Sequence, residues 1–266
     1  EKFKIDPKKT ILSQIHKLQA ADFKKFRPYF KFKKKYFIYI MSNIIIAAVG
    51  DWNKVIFKKF KYFKNYKIYF TSSQKNLIKL SSKLKPKYVF FVHWRNIMSD
   101  KFTEKNFSIC FHMTNLPFGR GGSPLQNLIL LNKKNTKLTA FKMNDQLDSG
   151  DIILKKNLPL SGSAHEIYRR SSLLSLSMIK NILTKKIKLK KQKGKKFYFK
   201  RRQPHQSEIK NFRNIKSIYN FIRMLDAPGY PKAYIYIGKK KKMIFQDAHI
   251  SKDKKFLNCN LLLSND

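Results

Sequence analysis

Apolar residues in this chain fall into short continuous runs, separated by stretches with helical spacing. Met41-Ser-Asn-Ile-Ile-Ile-Ala-Ala-Val49 is the clearest run. Branched residues cluster in it, and Gly50-Asp-Trp-Asn53 behind it supplies a turn and a helix start. The pattern then predicts a Lys-rich helix near 53–63, a strand over 67–71, a helix over 74–84 and a strand over 88–93. A strand over 106–112 carries Ile109 to Phe111, and a Pro/Gly-rich loop separates it from a helix over 123–132. Strands over 137–143 and 151–155 follow. Strands that alternate with helices predict a largely parallel sheet.

A long helix is expected over 164–185. Ser163 and Glu166 have the capping-box spacing, and Ile167, Leu173, Leu174, Met178 and Ile182 form an apolar stripe. The chain is then dense in Lys to residue 202, with Phe197, Tyr198 and Phe199 inside the basic stretch. Basic residues interleaved with aromatics can bind nucleic acid, but a solvated linker and an exposed hairpin is the plainer reading.

An internal repeat marks the two ends. Thr10-Ile-x-x-x-Ile15-x-x-Leu18 resembles Ser217-Ile-x-x-x-Ile222-x-x-Leu225, and alternating aromatics follow each, at Tyr29–Phe32 and Tyr234–Ile237. Both read as a helix feeding a small β-hairpin. The expected division is a main domain over 41–205, a small helix and hairpin module over 206–266, and residues 1–40 as the tail of an upstream domain or an N-terminal extension. Residue 1 is Glu rather than Met, which suits a fragment.

Composition changes this picture little. A chain of 266 residues with 42 % hydrophobic content can bury a main domain of about 150–200 residues. No apolar run approaches the ~18 residues of a membrane span, and the basic N-terminus does not read as a secretory signal. The two cysteines lie far apart, which fits a reducing compartment such as the cytoplasm. A net charge of +44 admits RNA, a phosphorylated substrate or an anionic membrane face as partners. Lysine is spread along the whole chain beside abundant Ile, Asn and Phe, all with A/T-rich codons, so compositional drift explains the charge equally directly.

The candidate chemistry lies in Cys110-Phe-His-Met-Thr-Asn-Leu-Pro-Phe-Gly-Arg-Gly-Gly-Ser-Pro-Leu-Gln126. It puts the His112 imidazole at a strand end, before a glycine loop and a helix start at Ser123 and Pro124, as open α/β sheets build sites. Leu147-Asp-Ser-Gly-Asp151 adds a carboxylate, Asp148, in a tight turn between two strands. A His and a distant carboxylate in such loops point to acid/base work on an acyl or amine group. Cys110 shares a strand face with His112, as an inert thiol or as a nucleophile with a stabilised thiolate. Gly50-Asp-Trp-Asn53 lacks the glycine spacing of a dinucleotide loop, and no His/Cys/carboxylate cluster has metal-ligand spacing.

These segments resemble the 10-formyltetrahydrofolate-dependent formyltransferases, which include methionyl-tRNA formyltransferase and the nucleotide-sugar N-formyltransferases. That family carries Asn-x-His, a Leu-Pro…Arg-Gly…Pro-x-Gln loop and a Leu-Asp-x-Gly-Asp turn. The matches are His112, then Leu116, Pro117, Arg120, Gly121, Pro124 and Gln126, then Asp148; Cys110 stands where the family has Asn, and a thiol is the weaker donor. The resemblance covers roughly residues 42–200 and implies an α/β, Rossmann-like formyltransferase domain with a mainly parallel sheet, plus the small C-terminal helix and β-hairpin module. It implies formyl transfer from 10-formyltetrahydrofolate to a primary amine. Within it His112 is the acid or electrophilic partner, Asp148 the base or orienter, and Cys110 a weak donor. His93, Trp94, Arg120, Gly121 and Gly122 would line the folate site, and Thr114, Asn115, Ser123 and Gln126 the acceptor site. Thr114, Asn115 or Asn96 would be substitutes for the missing amide. The Gly-Arg-Gly-Gly-Ser-Pro-Leu-Gln form suggests a small-molecule amine on a nucleotide-linked sugar as acceptor. The alternatives are an aminoacyl-tRNA acceptor, or a catalytically weakened relative that binds nucleotide sugar or RNA. The oligomeric state is left open, with a homodimer among the options.

Overall fold

A computed structural model describes residues 29–32, 35–38, 41–58, 60–211, 214–238 and 241–265. The predicted helix over 10–18 lies outside the described residues. Tyr29–Phe32 (β1) and Lys35–Ile38 (β2) pair as an antiparallel hairpin, Tyr29 opposite Ile38.

The main sheet is built by Ser42–Ala48 (β3), Tyr62–Phe63 (β4), Tyr66–Thr71 (β5), Tyr88–Val92 (β6), Ser108–His112 (β7), Asn135–Lys142 (β9) and Ile152–Pro159 (β10), in the order β10-β9-β7-β6-β3-β5-β4. The four central strands are parallel, and β4, β9 and β10 add antiparallel edges. The central strands carry apolar runs, Ile44–Ala48 in β3 and Val89–Val92 in β6, because both of their faces are covered. Ile44, Ile46, Phe90, Val92, Ile109 and Phe111 face a core shared with Pro124–Leu130 (α4) and Ala164–Thr184 (α5). Ile45, Ala47, Val89 and Phe91 face Leu77 of Gln74–Leu84 (α2) and Phe102 of Asp100–Lys105 (α3). Residues Ile44 to Ala48 are fully buried, so each isoleucine contributes on the order of 2–3 kcal/mol.

Several elements differ from expectation. The helix after β3 is Asp51–Phe57 (α1), shorter than the lysine pattern suggested; Tyr62 and Phe63 pair with β5 instead. α3 and Phe118–Gly121 (β8) form inside stretches read as loop. The capping box of α5 is present, since Ser163 accepts from the Glu166 N–H and Glu166 accepts from the Ser163 N–H. Its inward face, however, carries Ser171, Ser172 and Ser175, while Leu173 is exposed. The Lys-dense stretch contains Phe197–Phe199 (β11), which pairs in parallel with β8, and its Phe199 is buried. Beyond it come Ile215–Leu225 (α6) and three antiparallel strands, Ala233–Ile237 (β12), Lys241–Ile250 (β13) and Leu257–Asn265 (β14), rather than a single hairpin. Among the described residues no helix is long and apolar enough to cross a membrane.

Candidate active site

The chain passes from β3 to β5 on one side and then crosses back to β6, so strand order reverses between β3 and β6. Crevices in open α/β sheets open at the carboxyl ends of strands flanking that point. His112 ends β7 at this edge. Its Nε2 lies 2.7 Å from the Gly119 carbonyl. A carbonyl only accepts, so Nε2 carries a proton and Nδ1 is the ring position left to gain or lose one. Nδ1 faces Asp148 Oδ2 at 3.7 Å, with both side chains mostly enclosed.

Asp148 has a left-handed φ of 48°, and its Oδ2 accepts from the Gly121 N–H at 2.8 Å. Gly121 is required by shape: its φ is +98°, and a Cβ there would lie 2.4 Å from the Phe199 carbonyl oxygen. The turn after Asp148 is equally tight, because a Cβ on Gly150 would lie 1.7 Å from the Lys142 carbonyl oxygen. β8 therefore fixes both partners, His112 through Gly119 and Asp148 through Gly121.

Cys110 sits beside this pair. Burial, and then the negative charge of Asp148, push its thiol well above the usual cysteine range. It is neutral near pH 7, which corrects the nucleophile reading, because the thiolate is the reactive form.

Other expected site residues are placed otherwise. His93 does not face a ligand cleft. Its Nδ1 accepts from Trp52 Nε1 at 3.0 Å and lies 3.1 Å from Asn53 Nδ2, while Nε2 lies 3.1 Å from Ser171 Oγ. Burial, helped by the Arg95 charge, pushes it down to about 3, so it stays neutral. Arg120 is buried at 4 % exposure, and its guanidinium donates to Gln192 Oε1 and to the Tyr198 hydroxyl. It is a strut inside the fold rather than a free cation for a ligand. Gln126 is also interior, donating to the Tyr168 hydroxyl and the Met224 carbonyl. Ser123 does not cap α4 with its side chain; its hydroxyl accepts from the Arg202 N–H. The Gly122 N–H donates to Phe199, tying the loop to β11.

Asn115 is exposed and accepts from Lys155 Nζ at 2.6 Å, and Asn96 donates to Gln74, so neither replaces the missing amide. Thr114 is fully buried. Three polar atoms stand out. The Trp94 indole N–H, the Thr114 hydroxyl and the Gln126 Oε1 are buried without a hydrogen-bond partner in the structure. Trp94 packs edge-on against Phe91, on the apolar cluster that Cys110 and Met143 also flank, with the highly exposed Ile97 three residues on and exposed Leu147 in the Asp148 loop. A buried donor left without a partner at the edge of an apolar cluster is a candidate for pairing with an acceptor on a ligand. Gln192 and Tyr198 were missed by sequence reasoning, because their stretch reads as charged linker. Among the described residues no three His, Cys, Asp or Glu side chains could hold a metal ion.

Comparison with known proteins gives three kinds of match. The model of the methionyl-tRNA formyltransferase C-terminal domain matches residues 204–258. The bifunctional polymyxin resistance protein ArnA of Wigglesworthia glossinidia brevipalpis is 28 % identical over 174 residues, covering 62 % of this chain and 26 % of that protein. Methionyl-tRNA formyltransferase of Clostridium botulinum is 28 % identical over 178 residues, covering 64 % of this chain and 57 % of its own. The chain thus spans less than two thirds of the length of these curated relatives. Among solved structures, methionyl-tRNA formyltransferase from Clostridium thermocellum matches with a TM-score of 0.81 and 38 % identity, covering 85 % of this chain and all of that one.

Proposed function

The chain belongs to the formyltransferase family that includes methionyl-tRNA formyltransferase, and from that premise we propose that it transfers a formyl group from 10-formyltetrahydrofolate to the amine of an aminoacyl-tRNA. The observation that carries the reading is the enclosed pair of His112 and Asp148 at the carboxyl edge of the parallel strands.

Amine formylation requires a base for the amine proton and stabilisation of a carbonyl oxygen that turns negative. 10-Formyltetrahydrofolate supplies the activated formyl carbon, and the family uses it. The chain supplies the rest. The Gly119 carbonyl fixes the His112 ring through Nε2–H, which leaves Nδ1 to take the proton of the attacking amine and return it to the leaving N10 as the formyl–N10 bond breaks. Asp148 stabilises the resulting imidazolium, and the Gly121 N–H holds that carboxylate in place. Cys110 contributes a weak thiol donor beside the pair, in place of an amide. The Trp94 N–H and its apolar surroundings would receive the folate heterocycle.

The tRNA acceptor is supported by the 38 % identity to a methionyl-tRNA formyltransferase along that protein's whole chain. The C-terminal domain match and the charge of +44, which suits a polyanion, agree with it. These matches favour tRNA over the nucleotide-linked amino sugar suggested by the glycine loop. Both cysteines are free thiols, which supports a reducing, cytoplasmic setting.

The test is tetrahydrofolate formation, followed optically, with methionyl-tRNA and with a panel of nucleotide-linked amino sugars as acceptors. Turnover with the tRNA, lost in His112→Ala and Asp148→Asn, is the expected result. Turnover only with a sugar would replace the acceptor and keep the chemistry. Folate binding with no turnover on either acceptor would favour the catalytically weakened relative, and unimpaired turnover in His112→Ala would overturn the site.

A further inference from the structure

We propose that Gln192 is a positioning residue of this site: its amide locks the Asp148 turn to the buried Arg120 guanidinium and so holds the carboxylate in register with His112. The inference rests on the assignment of His112 and Asp148 above.

The geometry uses every hydrogen-bonding position of one side chain. Gln192 Nε2 donates to the Asp148 and Gly150 carbonyls, both at 2.9 Å. Its Oε1 accepts from Arg120 Nη2 at 2.7 Å and from Arg120 Nε at 3.2 Å. An amide has two donor hydrogens and two acceptor lone pairs, and all four are engaged. The network also fixes which end of the amide is which. The two carbonyls can only accept and the guanidinium can only donate, so the flipped amide would break all four bonds. Glutamate could face the arginine equally well, but it would set an oxygen against the two carbonyls.

The other end of the strut is equally committed. Arg120 lies between Gly119 and Gly121 on β8, the residues that hold His112 and Asp148. Its Nη1 donates to the Tyr198 hydroxyl at 3.2 Å, on the strand paired with β8. Lys190, two residues before Gln192, exchanges both backbone hydrogen bonds with Ile152, just past the Asp148 turn. The segment around 190–199 therefore runs from the turn that bears Asp148 to the strand that holds it. The four amide bonds of Gln192 join the two sides.

A left-handed Asp148 in a tight turn needs such support to keep one orientation, because a sub-ångström error in a catalytic carboxylate is felt in turnover. The experiment compares wild type, Gln192→Leu, Gln192→Glu and Asp148→Asn in the full chain. Gln192→Leu keeps the volume and removes all four bonds; kcat is expected to fall about 30-fold to 100-fold while KM for 10-formyltetrahydrofolate stays within about twofold. In parallel, the imidazole 15N shifts of His112, assigned with His112→Ala, are expected to move in Gln192→Leu without any acceptor present.

Gln192→Glu, which keeps the arginine contact, serves if the leucine variant does not fold, and the same kcat loss is expected. Folded variants with wild-type kcat and unchanged His112 shifts overturn the proposal. A proportional loss of kcat and of folded protein, with unmoved shifts, also overturns it, by making Gln192 merely structural. If Asp148→Asn itself retains full turnover, the reading of the site fails instead, and the two failures are distinct.

Discussion

His93→Ala tests the placement of an imidazole whose sequence neighbourhood points to a ligand site. In the structure its ring is the acceptor for the Trp52 indole N–H and the partner of Ser171. Truncation orphans the indole N–H, which costs about 1–3 kcal/mol, and leaves a ring-sized hole, for roughly 2 kcal/mol more. Asn53 keeps a bond to the Val49 carbonyl and relieves part of the loss. A net destabilisation of about 3–4 kcal/mol at pH 7 follows.

The pH dependence makes the prediction sharper. The folded state holds His93 near 3, against an ordinary value of 6.5. Its contribution is therefore complete above 6.5 and is lost as pH falls from there toward 3, because only the unfolded chain takes up the proton. One proton is worth about 1.4 kcal/mol per pH unit, so by about pH 4.5 wild type loses roughly 2–3 kcal/mol that the variant does not. The gap between the two should narrow to about 1 kcal/mol. Urea unfolding followed by far-UV circular dichroism at pH 7 and near pH 4.5 measures both values. An unchanged gap at the two pH values would refute the neutral, clamped imidazole. Folate affinity of the variant should stay within about twofold, and a large loss would restore His93 to the ligand site.

Gly121→Ala places a Cβ against the Phe199 carbonyl and disturbs the N–H that holds Asp148; a stability loss of about 1–3 kcal/mol with at least a tenfold drop in kcat is expected from melting and steady-state rates. Trp94→Phe removes an orphaned buried donor, so the ligand-free protein should be no less stable, while folate binding by titration calorimetry weakens about tenfold. Cys110→Ala should keep turnover within about fivefold, because a neutral thiol offers only a weak donor; a loss of a thousandfold or more would reinstate a nucleophile.

Sequence alone determined much of this molecule. The parallel core is legible in Ile44–Ala48 and Val89–Val92, since a strand covered on both faces must be apolar at every position. The capping box opens the long helix where Ser163 and Glu166 place it, because capping is decided within one turn. His112 and Asp148 were legible as a candidate pair, because a strand-end imidazole and a turn carboxylate carry local signatures, and the fold brings them to 3.7 Å. Tertiary structure decided the remainder. Arg120 looks like a ligand cation in its glycine loop, yet it points inward, because Gln192 and Tyr198 arrive from a distant segment to satisfy it. That segment reads as solvated linker, since six lysines from 188 to 196 hide a three-residue strand whose partner, β8, is itself too short and glycine-rich to announce itself. His93 and Gln126 were turned from the ligand cleft into the interior by partners on α1, α5 and α6. Local chemistry names the candidate groups; which way each polar side chain faces depends on partners brought together only when the chain folds.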